Sequence, residues 1–129
     1  MAEKHSEHIG FNYISNLLNI KEYNTTRNKE LFGSKIPDGW LLVGNNLLII
    51  EYKSKAEMKT KGVNQLARYA KLAITNKPEL TIYCFLGVGI DESYFEKIFM
   101  LYNPVNNSMK TVNENKIKVI FSNVSGSVN

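Results

Sequence analysis

Pro37-Asp38-Gly39-Trp40-Leu41-Leu42-Val43-Gly44-Asn45-Asn46-Leu47-Leu48-Ile49-Ile50-Glu51-Tyr52-Lys53 is the stretch on which the fold turns. Two apolar runs, residues 40–43 and 47–50, flank Gly44-Asn45-Asn46, the strongest turn signal in the chain. This pattern predicts a β-hairpin. Its second strand, residues 47–54, begins apolar on both faces and is therefore central in a sheet. Charges then appear at Glu51 and Lys53. Strand side chains alternate, so these two share one face while Ile50 and Tyr52 share the other. A charge on a central strand costs desolvation unless something pairs with it.

The hairpin supplies a partner. A two-residue loop at Gly44-Asn45 sets Asp38 opposite Glu51. A loop at Asn45-Asn46 sets it opposite Lys53. Directly opposed residues share a face with Cβ atoms ~5 Å apart, so either loop gathers Asp38, Glu51 and Lys53. A three-residue loop without a bulge sends Asp38 to the other face. Two carboxylates so close repel unless a cation lies between them. Hard oxygen ligands suit Mg²⁺, with Mn²⁺ as a substitute. Such an ion can activate water and stabilise charge on a phosphodiester, and a nearby lysine can assist. The backbone carbonyl of Tyr52 is a further candidate ligand. The competing reading is a surface salt bridge between Glu51 and Lys53, because Glu-x-Lys alone is common.

Outward from the hairpin, residues 6–18 have a helical period through Ile9, Tyr13 and Leu17, with Ser6 as expected N-cap and Glu7 in the first turn. Residues 20–32 are polar, with at most a short strand near 21–25. Residues 62–76 read as a helix with an apolar stripe of Val63, Leu66, Ala67, Ala70 and Ile74. Residues 80–88 read as a buried strand parallel to 47–54, since a helix connects them. Asp91 or Ser93 then caps an expected short helix running to about residue 102, a strand at 97–102 being the alternative. Asn103-Pro104-Val105-Asn106-Asn107 is a turn, and residues 117–121 read as a last strand. Residues 122–129 read as a small, polar, frayed tail. The sum is one α/β domain over residues 1–129, a central mixed sheet flanked by helices.

Composition limits the alternatives. The single cysteine, Cys84, excludes an intrachain disulfide and a Cys-cluster metal site, and its neighbours read it as a buried small hydrophobe. No apolar run approaches the ~20 residues of a membrane span. The polar start, Met1 to His8, is unlike a secretion signal, so an intracellular setting is expected. The net charge is only +4, but residues 53–77 hold seven basic residues and one acid, Glu57. Such a local field suits a polyanion, although charge alone favours a solvated helix face.

Pro37-Asp38 followed by Glu51-Tyr52-Lys53 across a turn resembles the PD-(D/E)XK nuclease superfamily. Gly33, five residues before Asp38, fits. Gln65-Leu66-Ala67-Arg68-Tyr69 looks like the Gln-x-x-x-Tyr motif of the RecB-like exonuclease branch. The resemblance covers residues 6–90. It implies a restriction-endonuclease-like core and a Mg²⁺-dependent DNA nuclease, with Asp38, Glu51 and Lys53 catalytic and Asp38, Glu51 and the Tyr52 carbonyl on the metal. It also implies DNA contacts from Gln65, Tyr69 and Arg68, joined by Lys55 and Lys61 of the basic stretch, and an acid on the first helix near the metal. Glu7 is the candidate for that acid and Glu3 the weaker one; helix capping is the competing role. His5 and His8 read as surface residues. The size is similar to Holliday-junction resolvases and small replication–repair nucleases, which often act as homodimers. The alternative function is a catalytically silent, nuclease-like module that binds nucleic acid or a partner protein. Residues 91–129 match nothing in the family; Phe95, Ile98, Phe99, Leu101 and Tyr102 there could serve a dimer interface or the core.

Overall fold

A computed structural model describes residues 2–122, so all but the first residue of the tail expected at 122–129 lies outside the described residues. The predicted hairpin is there: strand β1 (Gly39–Val43) runs antiparallel to β2 (Asn46–Lys53). Val43 pairs with Asn46, so the loop is Gly44-Asn45, and Gly44 sits at φ 60° as such a turn demands. Strand β3 (Thr81–Val88) lies parallel to β2 on its other side. The connection is helix α3 (Lys59–Asn76), entered through a 3₁₀ turn at Ala56–Met58. Strands β4 (Glu96–Asn103) and β5 (Ser108–Thr111) complete a five-stranded sheet in the order β1-β2-β3-β4-β5. Only the β2–β3 pair is parallel.

Helices cover both faces. Alternate residues Leu47 and Ile49 of β2 pack with Leu66, Ala70 and Ala73 of α3 and with Phe32 of the short helix α2 (Lys29–Phe32). Leu48, Ile50 and Tyr52 pack on the other face with Ile14 and Leu18 of helix α1 (Ala2–Leu18) and with Ile117 and Phe121 of helix α4 (Glu114–Phe121). The architecture is α/β with a mixed sheet between helices, consistent with a restriction-endonuclease-like core. No helix among the described residues is long and apolar enough to cross a membrane.

Several expectations need correction. Ser6 does not cap α1, which begins at Ala2; Ser6 is buried inside the helix. The first-turn acid is therefore Glu3 rather than Glu7. Residues 91–102 are not a helix. Asp91 caps a single 3₁₀ turn, Glu92–Tyr94, by accepting from the Ser93 N–H, and β4 follows. Ile-Phe-Met-Leu-Tyr is apolar at every position, so periodicity cannot separate strand from helix. The turn at 104–107 decides it by folding β5 back onto β4, with Asn107 at φ 52°. Residues 117–121 are helical: the Asn113 side chain accepts from the Asn115 N–H, and Ile117 and Phe121 bury one turn apart. Residues 20–32 hold one isolated bridge, Asn24 to Trp40, and α2. Phe95, Phe99 and Tyr102 are buried in the core, which leaves them unavailable to an interface. Cys84 is fully buried, and burial pushes its thiol pKa up, as a core residue requires.

Candidate active site

The register of the hairpin positions the site. Gly39 pairs with Ile50. Continuing by one residue sets Asp38 opposite Glu51, and by two sets Pro37 opposite Tyr52. Proline has no N–H, so the ladder cannot continue, and β1 ends at Gly39. A side chain takes over. Asp38 Oδ2 accepts the Tyr52 N–H at 2.8 Å, and the Asp38 N–H points at Glu51 Oε1 at 3.4 Å. The Tyr52 carbonyl lies on the same side of its strand as that N–H, towards Asp38 and Pro37, while the Lys53 carbonyl lies on the other side and accepts the Gly89 N–H.

Helix α1 locks this end of the sheet. The Ser6 hydroxyl donates to the Gly89 carbonyl at 2.5 Å and lies 3.4 Å from the Lys53 carbonyl. Gly10 lies flat against the Tyr52 ring, where a Cβ would collide. The Tyr52 hydroxyl meets the Tyr23 hydroxyl at 2.6 Å. The site thus lies at the carboxyl ends of the parallel strands β2 and β3, where open α/β sheets place their ligands.

Its charges are buried. Glu51 and Lys53 are each only 5% exposed. Lys53 Nζ stands 3.7 Å from Glu51 Oε2 and 3.7 Å from Glu3 Oε2. One lysine does not offset the burial. Glu51 is pushed up to about 8, first by desolvation and then by the charge of Asp38, with Lys53 only moderating it. Asp38 is raised to about 6, again chiefly by desolvation, and the Tyr52 N–H opposes the rise. Tyr69 on α3 is raised to about 12 by desolvation, then by the charges of Glu51 and Asp38, which sets its hydroxyl within reach of their field. The charge of Glu7 acts on Asp38, and the two residues line one cavity of about 500 Å³ with His8 and Tyr52.

The oxygen donors gathered here are the carboxylates of Asp38 and Glu51 and the Tyr52 carbonyl. No group of three or more His, Cys, Asp or Glu side chains that could hold a metal occurs among the described residues. Two desolvated carboxylates beside a backbone carbonyl with no opposing N–H suit Mg²⁺, which takes one or two carboxylates and keeps waters. Their pKa values are raised chiefly by desolvation, with the neighbouring carboxylates adding to the rise.

The sequence-predicted residues divide by distance from this centre. Asp38, Glu51 and Lys53 come together. Glu7 faces Asp38, but it is Glu3, the weaker candidate, that reaches Lys53. Gln65, Arg68 and Tyr69 share a groove on α3. Lys55 and Lys61 are exposed on either side of the 3₁₀ turn, making no ion pair among the described residues. Ser6 and Tyr23 were not singled out from the sequence. A serine and a glycine four apart, Ser6 and Gly10, on the sheet-facing stripe of α1 were the signal for close helix–sheet approach. No protein-family model matches the chain, and no curated protein matches it.

Proposed function

We propose that the chain is a Mg²⁺-dependent deoxyribonuclease that hydrolyses phosphodiester bonds at Asp38, Glu51 and Lys53. The observation that carries this reading is the Gly44-Asn45 register, which brings Asp38, just before β1, to Glu51 of β2 beside buried Lys53. Asp38, Glu51 and the Tyr52 carbonyl would hold the ion. When bound, Mg²⁺ or Mn²⁺ supplies Lewis-acid activation of water and charge stabilisation at phosphorus. Asp38 keeps its carboxylate aimed by accepting the Tyr52 N–H. Glu51 and Glu3 hold the Lys53 ammonium between them, at the position from which it can orient a water or neutralise an equatorial phosphate oxygen. Basic residues beyond β2, including Lys55 and Lys61, draw the polyanion toward the centre.

The test is incubation of the purified protein with single-stranded, duplex and branched DNA in Mg²⁺ or Mn²⁺. Cleavage that falls at least about 100-fold in Asp38→Asn, Glu51→Gln and Lys53→Ala is the expected result. Wild type and Lys53→Ala equally inert on every substrate would overturn the proposal. Salt-sensitive DNA binding without metal dependence would instead identify a silent binding module.

A further inference from the structure

From Lys21 to Arg27 the side chains are exposed, except that Tyr23 is partly buried. These residues form a strap from α1 to α2, outside β1. Three hydrogen bonds tie it there. Asn24 and Trp40 exchange both backbone bonds, at 2.9 and 3.0 Å, and the Trp40 indole N–H donates to the Thr26 carbonyl at 3.0 Å. The tie seats Tyr23 behind the hairpin, with Ile50 and Tyr52, on the face of β2 away from Glu51. There its ring fills the empty side of Gly39, where a Cβ would strike it. Its hydroxyl meets the Tyr52 hydroxyl at 2.6 Å. Tyr52 is fully buried, so its O–H needs that partner. Phe11 of α1 closes edge-on against the Tyr23 ring, centroids 5.5 Å apart.

The two residues that Tyr23 touches are the two that govern Asp38. Gly39 follows it in the chain, and Tyr52 supplies the N–H that its carboxylate accepts. Asp38 needs the support. Pro37 stops the ladder, so Asp38 lies just outside β1. Among the described residues its carboxylate accepts one hydrogen bond, from Tyr52. The next residue is a glycine, whose backbone is the freest in any chain, and the Tyr23 ring takes that freedom away. We propose that Tyr23 is a positioning residue for Asp38. Its ring fixes Gly39, its hydroxyl fixes Tyr52, and the Asp38–Tyr52 bond spans the two. Tyr23 touches no reacting atom and acts only through these neighbours. The hold stands whatever the site does. Its catalytic meaning rests on the nuclease reading, in which Asp38 and the Tyr52 carbonyl share an ion, and a supporting contact sets how well such ligands are aimed.

The experiment is amide hydrogen exchange by NMR in EDTA, joined to Mn²⁺ titration of the same proteins. In Tyr23→Ala the Tyr52 N–H should exchange about 10-fold faster relative to the Leu48 and Ile49 N–H groups at the centre of the sheet, since local opening is read against global opening. Mn²⁺ should bind about 10-fold more weakly, the lower end of what a lost supporting contact costs a metal site. Tyr23→Phe keeps the ring over Gly39 and should recover most of both. Gly39→Ala reaches the same contact from the other side and should also loosen the Tyr52 N–H, because its Cβ displaces the ring. A tyrosine that only stabilises the fold would speed all three amides together. That result, or a Tyr52 N–H as protected in Tyr23→Ala and Gly39→Ala as in wild type, overturns the proposal. The two readings fail separately. A wild type that binds no Mn²⁺ and cuts no DNA loses the nuclease reading, while the Tyr52 amide still decides the hold. A wild type that cuts DNA while Tyr23→Ala leaves that amide protected loses the hold alone.

Discussion

Glu51 makes the metal-free protein less stable as pH rises. Its carboxyl ionises near 4.5 in an exposed chain and near 8 in the folded one, where it is buried beside Asp38. The folded value lies above the unfolded one. Stability from this group is therefore fully present below pH 4.5 and is lost as pH rises to 8. In that window the unfolded chain has released the proton and the folded chain still holds it. Each pH unit across the window costs about 1.4 kcal/mol. From pH 5 to 8 the loss reaches about 4 kcal/mol, a large part of the roughly 5–15 kcal/mol that holds a domain together. At about 3 °C per kcal/mol for a domain of this size, Tm should drop by roughly 10 °C. Asp38, raised to about 6, adds to the lower half of the window.

Glu51→Gln is the decisive variant, because the amide resembles the protonated acid. Lys53 keeps Glu3 at 3.7 Å, so the lysine is not stranded by the change. The variant should match wild type at pH 5 and melt higher at pH 8. Differential scanning calorimetry in EDTA from pH 5 to 8 reads this directly. Mg²⁺ at 100 times its Kd should restore about 2.7 kcal/mol to wild type at pH 8 and little to the variant. A flat wild-type curve, or a variant curve parallel to it, would refute the reasoning.

Ser6→Ala should cost about 1–2 kcal/mol by leaving the Gly89 carbonyl without its donor, and urea denaturation measures it. The same variant should lower cleavage more than it lowers substrate binding, because Ser6 spans the ends of β2 and β3 at the site. Gly10→Ala should destabilise by at least about 1–3 kcal/mol, since its Cβ would strike the Tyr52 ring inside the core; the denaturation midpoint should fall, and an unchanged midpoint would show that α1 is not seated on Tyr52. Asn113→Ala should cost about 1 kcal/mol by removing the α4 cap, while a strand at residues 117–121 would be indifferent to it.

The central hairpin was legible because turn chemistry and alternation agree there. Gly44-Asn45-Asn46 marks the turn, and the apolar run on both sides of β2 marks its place in the middle of the sheet. Helix α3 was legible for the same reason, its stripe recurring at 3.6 residues. The second half of the chain was not. In β4 the apolar residues are consecutive and carry no period. In β5 only Met109 is apolar, so a strand held by backbone pairing to β4 leaves little trace in side chains. Helix α4 buries Ile117 and Phe121 four apart, but β-branched Ile117, Val119 and Ile120 mimic a strand until the Asn113 cap is counted. Ser6 misled because a serine before an apolar period is an ordinary start signal. Here tertiary contact with Gly89 accounts for it instead.

For the site, the sequence offered three residues and a choice among loop lengths. The register resolves that choice and exposes what the motif alone hides. Pro37 stops the β1–β2 ladder at the point where Asp38 can reach the Tyr52 N–H with a side chain. Had residue 37 carried an N–H, the ladder could continue, and the Tyr52 carbonyl would have a backbone donor opposite it. The proline thus does two things at once: it frees an oxygen and it leaves an amide for Asp38. Burial then acts on the pair. Glu51 and Asp38 are held close in a dry setting where Lys53 offsets only part of their charge. A salt bridge made for stability would have lowered the pKa of Glu51, and here it is raised. Burial that raises Glu51 despite a lysine 3.7 Å away is what sets the carboxylate pair apart from a surface Glu-x-Lys.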